Sequence, residues 1–384
     1  MLIAVSKRLE EILRPGDTVA RLGGDEFSIL LEDLKDRSEA LFIAERIQNQ
    51  LSDPFDLGGQ EVFTSVSIGI VFNTTGYDHP ENLLRNADIA MYHAKSNGSA
   101  RCEVFDPGMY EDAVSRLQLE TDIRQALIQN EFVLHYQPII SARTGEIAGF
   151  EALVRWNHSK RGLLSPGEFI AHAEETGMII NIGEWVLEEA CRQVNIWNRN
   201  IPDYDSLTIS VNLSSKQLLP TLVRKLNQVI QETGVSADNL ILEITESMIM
   251  ENADTIGPIM EQIKDMGIKL HIDDFGTGYS SLRYLHDFPV DALKIDRSFI
   301  MGLVDSKEKL EIVSAITTLA HSMNMEVVAE GVETEEQLNQ VTLLHCEFIQ
   351  GFLFSKPLES NKAEGLLSQG KINLIRNLTH SFRQ

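Results

Sequence analysis

The sequence predicts an α/β protein of two domains, the larger being a TIM-like (β/α)8 barrel with one antiparallel strand. The chain has 384 residues, which is long for one ordinary domain and comfortable for two. Over its last two thirds, short β-branched runs alternate with longer amphipathic stretches, as in a parallel barrel. The first two of these runs are joined only by residues 140–146, too few for the crossover of about a dozen residues that a parallel pair needs.

A smaller, partial α/β domain is predicted over residues 1–106. Its elements in order are a helix over Leu2–Leu13, a strand pair around Arg21–Phe27, a helix over Ser38–Leu51, a strand over Phe63–Phe72 and a helix over Pro80–Ser96. Asp106-Pro107-Gly108 interrupts the chain, and helical spacing from Tyr110 to Gln129 predicts a connecting helix. We assign 107–120 to this connection, 121–367 to the barrel and 368–384 to a C-terminal tail.

Eight strands are predicted for the barrel: Phe132–Gln137, Ile147–Val154, Thr208–Leu213, Leu240–Thr245, Lys269–Asp273, Ala292–Asp296, Glu326–Glu330 and Phe348–Phe352. Helical stretches lie between most of them, at Ile182–Asn198, Leu219–Thr233, Thr255–Met266, Lys309–Asn324 and Thr334–Leu344. The short link between the first two strands predicts an antiparallel hairpin, so one strand of the barrel should run in reverse.

Composition restricts the class of protein. With 43% hydrophobic and 23% charged residues and no low-complexity tract, the chain should be globular. A net charge of −24 argues against binding to polymeric DNA or RNA, because that binding depends on Lys and Arg neutralising many phosphates. The three cysteines have no paired spacing, which argues against disulfides and favours a reducing cytoplasm. No apolar run approaches the roughly 18 residues of a bilayer span, so we expect no membrane segment in this chain.

Polar residues end the predicted strands, and in a parallel barrel those ends converge on one mouth. The residues that end or directly follow the apolar runs are Glu151, Arg155, Asn212, Glu243, Glu246, Asp273, Asp274, Lys294, Asp296, Glu330, Glu333 and Gln350. Any one of them is explained as well by a solvated charge at a strand end. Their recurrence on successive strands instead indicates a shared site.

Carboxylates collected at one mouth repel each other unless cations neutralise them, and oxygen ligands select Mg²⁺ or Mn²⁺ over zinc. Two ions are the expected number, since the adjacent Asp273 and Asp274 could bind a pair about 3.5–4 Å apart. Ca²⁺ is expected to inhibit by taking the same positions with looser geometry.

Six motifs resemble the EAL family of cyclic di-GMP phosphodiesterases, from about Leu117 to about Leu367. They are Glu151-Ala152-Leu153, Val211-Asn212-Leu213-Ser214, Leu242-Glu243-Ile244-Thr245-Glu246, Asp273-Asp274-Phe275-Gly276-Thr277-Gly278, Lys294-Ile295-Asp296 and Ala329-Glu330-Gly331-Val332-Glu333. The resemblance implies metal-dependent hydrolysis of cyclic di-GMP to linear pGpG in bacterial signalling, and a homodimer.

The resemblance also implies roles for individual residues. The expected metal ligands are Glu151, Asn212, Glu243, Asp273 and Asp274. The expected catalytic residues are Lys294 and Glu330, which would hold and deprotonate the attacking water, with Gln350 nearby. Substrate contacts are expected from Arg155, Gln137, Leu153 and Asp296. Residues expected to support the loop that begins at Asp274 are Glu246, Glu333 and Thr245.

General chemistry agrees with these roles. Water shared between two cations has a strongly lowered pKa, and a carboxylate beside it can take the proton. Arg155 would meet charge on the phosphate oxygens. The simpler interpretation of Lys294 is an ion pair with Asp296 or Glu330, and His271 and His286 are expected to be satisfied packing residues.

A second resemblance covers the first domain. Arg21-Leu22-Gly23-Gly24-Asp25-Glu26-Phe27, Ser67-Ile68-Gly69 and Ala87–Lys95 are similar to the GGDEF family of diguanylate cyclases. That family's opening strand, with a metal-binding aspartate, would precede Met1, so we expect no cyclase activity and a residual structural or regulatory module. Arg14 and Asp17 match the family's inhibitory RxxD site for cyclic di-GMP, although an Arg–Asp turn explains them equally.

Two functions remain open at this stage. The first is an active phosphodiesterase, and the alternative is a catalytically silent cyclic di-GMP receptor that signals through a partner. The set of metal ligands separates them, because receptors of this family tend to lose it. All five expected ligands are present here.

Overall fold

The computed structural model describes residues 1–73, 79–96, 98, 100–201, 204, 206–251, 253–277, 285 and 287–368. The chain forms two compact units, Met1–Gln118 and Leu119–Gln384. The helix Pro107–Gln129 extends across the boundary between them, starting three residues earlier than predicted.

The described residues of the first unit form further helices at Leu2–Ile12, Arg37–Ser52 and Pro80–Ser96. Its strands are β1 Thr18–Gly23, β2 Glu26–Leu30, β3 Phe55–Asp56, β4 Glu61–Val62, β5 Ile68–Ile70 and β6 Cys102–Val104. β1 and β2 form the expected antiparallel hairpin, and Gly24 in its turn has φ 49°, in the left-handed region that glycine tolerates.

The predicted strand over Phe63–Phe72 is too long, since only Ile68–Ile70 within it forms a strand, and β4 lies just before it. β4 pairs antiparallel with β3, whereas β5 pairs parallel with β6. Between β4 and β5 no ladder forms, and Phe63 is 70% exposed. A strand needs a hydrogen-bonded partner, and the local sequence does not specify that partner.

The second unit is built on ten strands. They are β7 Phe132–Ser141, β8 Ile147–His158, β9 Gly162–Leu164, β10 Thr208–Asn212, β11 Leu240–Thr245, β12 Lys269–Phe275, β13 Ala292–Ile295, β14 Glu326–Ala329, β15 Phe348–Gln350 and β16 Leu358–Glu359. The helices among its described residues are Ile170–Thr176, Ile179–Asn200, Pro220–Thr233, Glu246–Glu251, Ala253–Asp265, Arg297–Ile300, Lys307–Ser322, Glu335–Leu343 and Ser360–Ser368.

Eight of these strands close into a barrel in the order β7-β15-β14-β13-β12-β11-β10-β8, with β8 pairing back to β7. β7 is antiparallel to both β8 and β15, and the remaining barrel pairs are parallel. The prediction of a barrel with one reversed strand is therefore confirmed. The short strands β9 and β16, which extend the sheet beyond the barrel, were missed because two or three residues carry no periodic signal.

Successive side chains of β7 and β8 face alternately the surrounding helix and the interior of the barrel. Tyr136 and Phe150 lie against Trp197 of the helix Ile179–Asn200, with ring centroids 4.9 and 5.0 Å from its ring. Gln137 and Glu151, the next residues on β7 and β8, are paired in register and are also buried. Since successive side chains point to opposite faces of a strand, packing Tyr136 and Phe150 against the helix turns Gln137 and Glu151 into the barrel.

Within the described residues, no helix combines the length and apolar character that crossing a bilayer requires.

Candidate metal and active site

The predicted polar side chains meet at the mouth formed by the carboxyl ends of the parallel strands. Lys294 on β13 is at their centre and is only 1% exposed. Its Nζ lies 2.7 Å from Glu243 Oε2, 2.7 Å from Glu330 Oε1, 3.2 Å from Asp273 Oδ1 and 3.9 Å from Glu151 Oε2. The ion pair with Glu330 that the sequence offered as a simpler interpretation is thus one part of a cluster of four carboxylates. The ammonium offsets one of their four charges.

Two amide side chains hold Glu151, and a third amide contacts one of these two. Asn212 Nδ2 donates to its Oε1 at 2.7 Å, and Gln350 Nε2 donates to its Oε2 at 2.6 Å. Gln350 Nε2 also lies 3.2 Å from Gln137 Oε1, and Gln137 Nε2 donates to the Ser355 carbonyl at 3.4 Å. Hydrogen bonds to both of its oxygens therefore fix the orientation of the Glu151 carboxylate. The two donors, Asn212 and Gln350, come from strands that are far apart in sequence.

Asp273 and Asp274 are adjacent, yet both carboxylates belong to one cluster. In a regular strand neighbouring side chains point to opposite faces. Here the register of β12 on β13 shifts between Ile272 and Phe275, and Asp274 has φ 54°, a left-handed conformation that Asp adopts more readily than most residues. One ligand oxygen from each of Asp273, Asp274 and Glu330 lies within 4.8 Å of the others.

These residues fit hard divalent cations. The donors are carboxylate and amide oxygens, which Mg²⁺ and Mn²⁺ prefer. Glu243 Oε1 and Gln350 Oε1 are both buried and have no hydrogen-bond partner in the described part of the chain. Buried acceptors are normally paired, so unpaired oxygens within an acidic cluster suit ligands for a cation.

The pKa values of the cluster show the effect of burying several carboxylates beside one ammonium. Burial raises the pKa of Glu330 to about 8, against the opposing effect of Lys294. Burial also raises the pKa of Glu243 well above its usual value, and it raises the pKa of Asp274. Burial alone would lower the pKa of the Lys294 ammonium, but the surrounding carboxylates outweigh burial and raise it well above the usual value.

Three predicted substrate contacts lie further out. Arg155 is half-buried on β8, and its Nη1 donates to the Val154 carbonyl at 2.8 Å. Leu153, also on β8, is partly exposed opposite His135 of β7. Asp296 follows β13 directly and accepts a hydrogen bond from the Ser298 amide at 3.0 Å, which begins the helix Arg297–Ile300. Asp296 thus has a structural contact besides its predicted one.

The three residues expected to support the loop after β12 differ in their contacts. Glu246 Oε2 accepts the Gly276 amide at 3.0 Å, and Thr245 is paired in register with Asp273. Glu333 has an exposed side chain, and its backbone amide donates to Gln337 Oε1 at 2.8 Å. The loop from 278 to 284 lies outside the described residues, so a contact with Glu333 stays a prediction.

Two histidines change the sequence-based interpretation. His271 is buried as expected, but neither ring nitrogen has a hydrogen-bond partner among the described residues, so it is not a satisfied packing residue. His286 lies outside the described residues. His135, which the sequence analysis missed, is on the same face of β7 as Gln137, and the Coulombic effect of Arg155 helps burial to lower its pKa. The two-residue period of β7 could have identified it.

In the first unit, the predicted nucleotide site forms a turn. The Arg14 amide and Nε donate to the Asp17 carboxylate at 3.2 and 3.4 Å. The guanidinium also contacts Glu39 Oε1 at 3.3 Å and the Glu32 carbonyl. This arrangement matches the simpler Arg–Asp turn, because Arg14 already has protein partners.

The fold and the site define a class of protein: a (β/α)8 barrel whose mouth gathers carboxylates around a buried lysine, suited to hard divalent cations. Residues 120–357 match the family described as EAL domain, and the chain belongs to that family. Residues 1–101 match the family described as Diguanylate cyclase, GGDEF domain. Both resemblances found in the sequence are confirmed.

Curated relatives cover both units. The chain is 43% identical over 363 residues to the "Bifunctional diguanylate cyclase/cyclic di-GMP phosphodiesterase MucR" of Pseudomonas aeruginosa, covering 94% of this chain and 53% of that protein. It is 40% identical to "Cyclic di-GMP phosphodiesterase NbdA" of the same organism, with coverages of 93% and 46%. It is 38% identical to "Cyclic di-GMP phosphodiesterase PdeR" of Escherichia coli, with coverages of 93% and 54%. The chain thus spans about half the length of these relatives.

Solved structures match the fold. "PaMucR Phosphodiesterase, c-di-GMP complex" superposes with a TM-score of 0.62 at 46% identity, covering 64% of this chain and 99% of that one. "Structure of EAL Enzyme Bd1971 - cAMP and cyclic-di-GMP bound form" gives a TM-score of 0.65 at 32% identity, covering 76% and 77%.

Proposed function

We propose that this chain hydrolyses cyclic di-GMP to linear pGpG in a metal-dependent reaction. The observation that carries the proposal is the complete acidic cluster around Lys294, with Glu330 2.7 Å from its ammonium. The similarity to proteins named cyclic di-GMP phosphodiesterases supplies the substrate. A catalytically silent receptor would not need this acid set, so hydrolysis is the function that the site favours.

Glu151, Asn212, Glu243, Asp273 and Asp274 would hold two Mg²⁺ or Mn²⁺ ions. When bound, these ions supply Lewis-acid polarisation of the phosphoryl oxygens and a lowered pKa of water. We propose that Ca²⁺ inhibits at the same positions, because it takes more ligands at longer distances.

The chain's own residues then perform the remaining steps. Glu330 is the general base, since its carboxylate lies at the mouth 2.7 Å from the Lys294 ammonium and beside the expected metal ligands Asp273 and Asp274. Lys294 keeps its charge and orients both Glu330 and the water. Arg155 meets charge on a non-bridging phosphate oxygen.

Gln350 is better described as a positioning residue than as a catalytic one. Its Nε2 contacts Glu151 at 2.6 Å, and Gln137 contacts Gln350 in turn. We propose that the pair acts on the reaction through Glu151, and that Leu153 and Asp296 line the substrate's path.

Product analysis tests the proposal. The chain is incubated with cyclic di-GMP and Mg²⁺ or Mn²⁺, and the products are separated by reversed-phase chromatography. We expect pGpG with either ion, inhibition when Ca²⁺ is titrated against Mg²⁺, and no product from Glu151→Ala. Glu232→Ala, an exposed carboxylate on the helix Pro220–Thr233, is the control that should keep full activity. Binding of cyclic di-GMP without turnover in the wild-type chain would favour the receptor function.

We propose that the first unit makes no cyclic di-GMP. Asp25 and Glu26 are exposed at the hairpin of β1 and β2. Among the described residues of Met1–Gln118, no three His, Cys, Asp or Glu side chains come close enough together to hold a metal ion. Incubation with GTP in parallel should give no product, and formation of cyclic di-GMP would contradict this.

We further propose a cytoplasmic homodimer. The three cysteines, Cys102, Cys191 and Cys346, are all free thiols, as suits a reducing compartment. Light scattering during gel filtration measures the oligomeric state, and a mass of 43.1 kDa in solution would contradict the dimer.

A further inference from the structure

A cavity of about 760 Å³ lies at the end of the barrel opposite the acidic mouth. Its lining includes the first residues of several parallel strands, among them Thr208, Lys269, Glu326 and Phe348. Parallel strands begin at one end of a barrel and finish at the other, so this cavity is separate from the site described above. Its volume falls within the range of about 300–1,000 Å³ that is typical of small-molecule sites.

His271 contributes the inner polar surface of this cavity. It is 4% exposed, and both ring nitrogens lack a hydrogen-bond partner among the described residues. It precedes Asp273 by two residues on β12, which places it one layer of side chains beneath the metal ligands. A neutral imidazole ring offers one hydrogen-bond donor and one acceptor.

Buried polar groups almost always have a hydrogen-bond partner, so an imidazole ring that lines a cavity with neither nitrogen paired is unusual. A water or a ligand in the cavity could satisfy it. The room available exceeds the need of one water, whose share of liquid volume is about 30 Å³. A small molecule with a polar group could fill the cavity and also form a hydrogen bond with the His271 ring.

The walls and the entrance indicate the class of molecule. Aliphatic side chains such as Ile139, Ile241 and Val328 form much of the wall. Among the described residues of the lining, Glu146, Glu326 and Lys269 are charged, which gives an excess of one negative charge. At Glu326, Lys269 opposes the negative potential, whereas Glu347 and Asp291 add to it. A cation with an apolar body is complementary to both features.

We propose that this cavity is a second ligand site, distinct from the acidic mouth, for a small amphipathic amine. Its ammonium faces Glu326 and Glu146, its apolar ring or chain packs against the aliphatic wall, and a polar group pairs with His271. The site is independent of cyclic di-GMP hydrolysis, so the loss of one function would not imply the loss of the other.

Tryptamine is a suitable probe, because it combines an ammonium, an apolar ring and an N–H donor. The full chain is labelled with ¹³Cε1-histidine, which gives one signal for each of its 10 histidines, and His271 is assigned from the spectrum of His271→Gln. We expect tryptamine to shift the His271 signal to saturation at millimolar concentration. Indole-3-acetate, with the same ring and the opposite charge, should shift it far less.

Two variants make the test specific. Glu326→Gln should weaken tryptamine binding by about two- to fivefold, the effect of one partly exposed charge pair. Thr208→Phe places a ring in the cavity from the half-buried Thr208, which is on the same face of β10 as Asn212. This variant should abolish the shift, and it keeps the test open if His271→Gln does not fold. An unmoved His271 signal, or equal shifts from indole-3-acetate, would overturn the proposal.

Discussion

Replacing Lys294 by methionine removes the ammonium that lies among four carboxylates of the mouth, with little change in side-chain length. Lys294 is 1% exposed, so solvent does not screen these contacts. Removing one partner of a buried ion pair costs about 3–5 kcal/mol, because the remaining charge stays buried. We expect the metal-free variant to lose that much stability at pH 8.

That loss can be measured by thermal unfolding. For a unit of this size, each kcal/mol changes Tm by about 2–4 °C, so Lys294→Met should lower the transition of the barrel by roughly 6–20 °C. The difference should shrink towards pH 5, since the carboxyls can then bind protons in place of the ammonium. Circular dichroism in EDTA at both pH values measures this.

Lys264→Met is the matched control. Lys264 also forms a close ion pair, with Nζ 2.6 Å from Asp291 Oδ1, but both side chains are more than a quarter exposed. A pair of this kind contributes about 0.2–1 kcal/mol, which corresponds to a few degrees at most. If Lys294→Met at pH 8 unfolded at the same temperature as Lys264→Met, the argument that Lys294 stabilises the carboxylate cluster would be wrong.

Three further predictions concern the same mouth. Glu330→Gln should lower the hydrolysis rate by about 10²–10⁴-fold while cyclic di-GMP binding, measured by calorimetry in Ca²⁺, is retained; a rate near wild type would exclude Glu330 as the base. The metal-free wild-type chain should lose stability as the pH rises from 4.5 to about 8, because folded Glu330 holds a proton there that the unfolded chain releases, and calorimetry showing a steady gain over this range would contradict it. Glu246→Ala removes the acceptor of the Gly276 amide and should weaken Mn²⁺ binding by about tenfold, whereas unchanged affinity would show that the loop needs no such support.

Much of the fold could be predicted from the sequence, because the strands carry local signals. Leu240–Thr245 was predicted with its exact bounds, since a β-branched run there is followed at once by Glu246 and a helix. The reversed strand followed from the length of one connection, which is also a local property. The shortening of the predicted strand Phe63–Phe72 to Ile68–Ile70 could not be predicted, because the partner of β5 is β6, which is distant in sequence.

The sequence by itself determined which residues reach the mouth of the barrel, since a side chain that ends a parallel strand has little choice of direction. Only the tertiary structure decided how they meet. It gathered four carboxylates around Lys294 and fixed Glu151 with two amides, one from β10 and one from β15. The left-handed backbone of Asp274 brought its carboxylate into the same cluster as that of Asp273. These contacts depend on barrel closure and register, which join strands that are distant in the chain, and no local pattern encodes their distances.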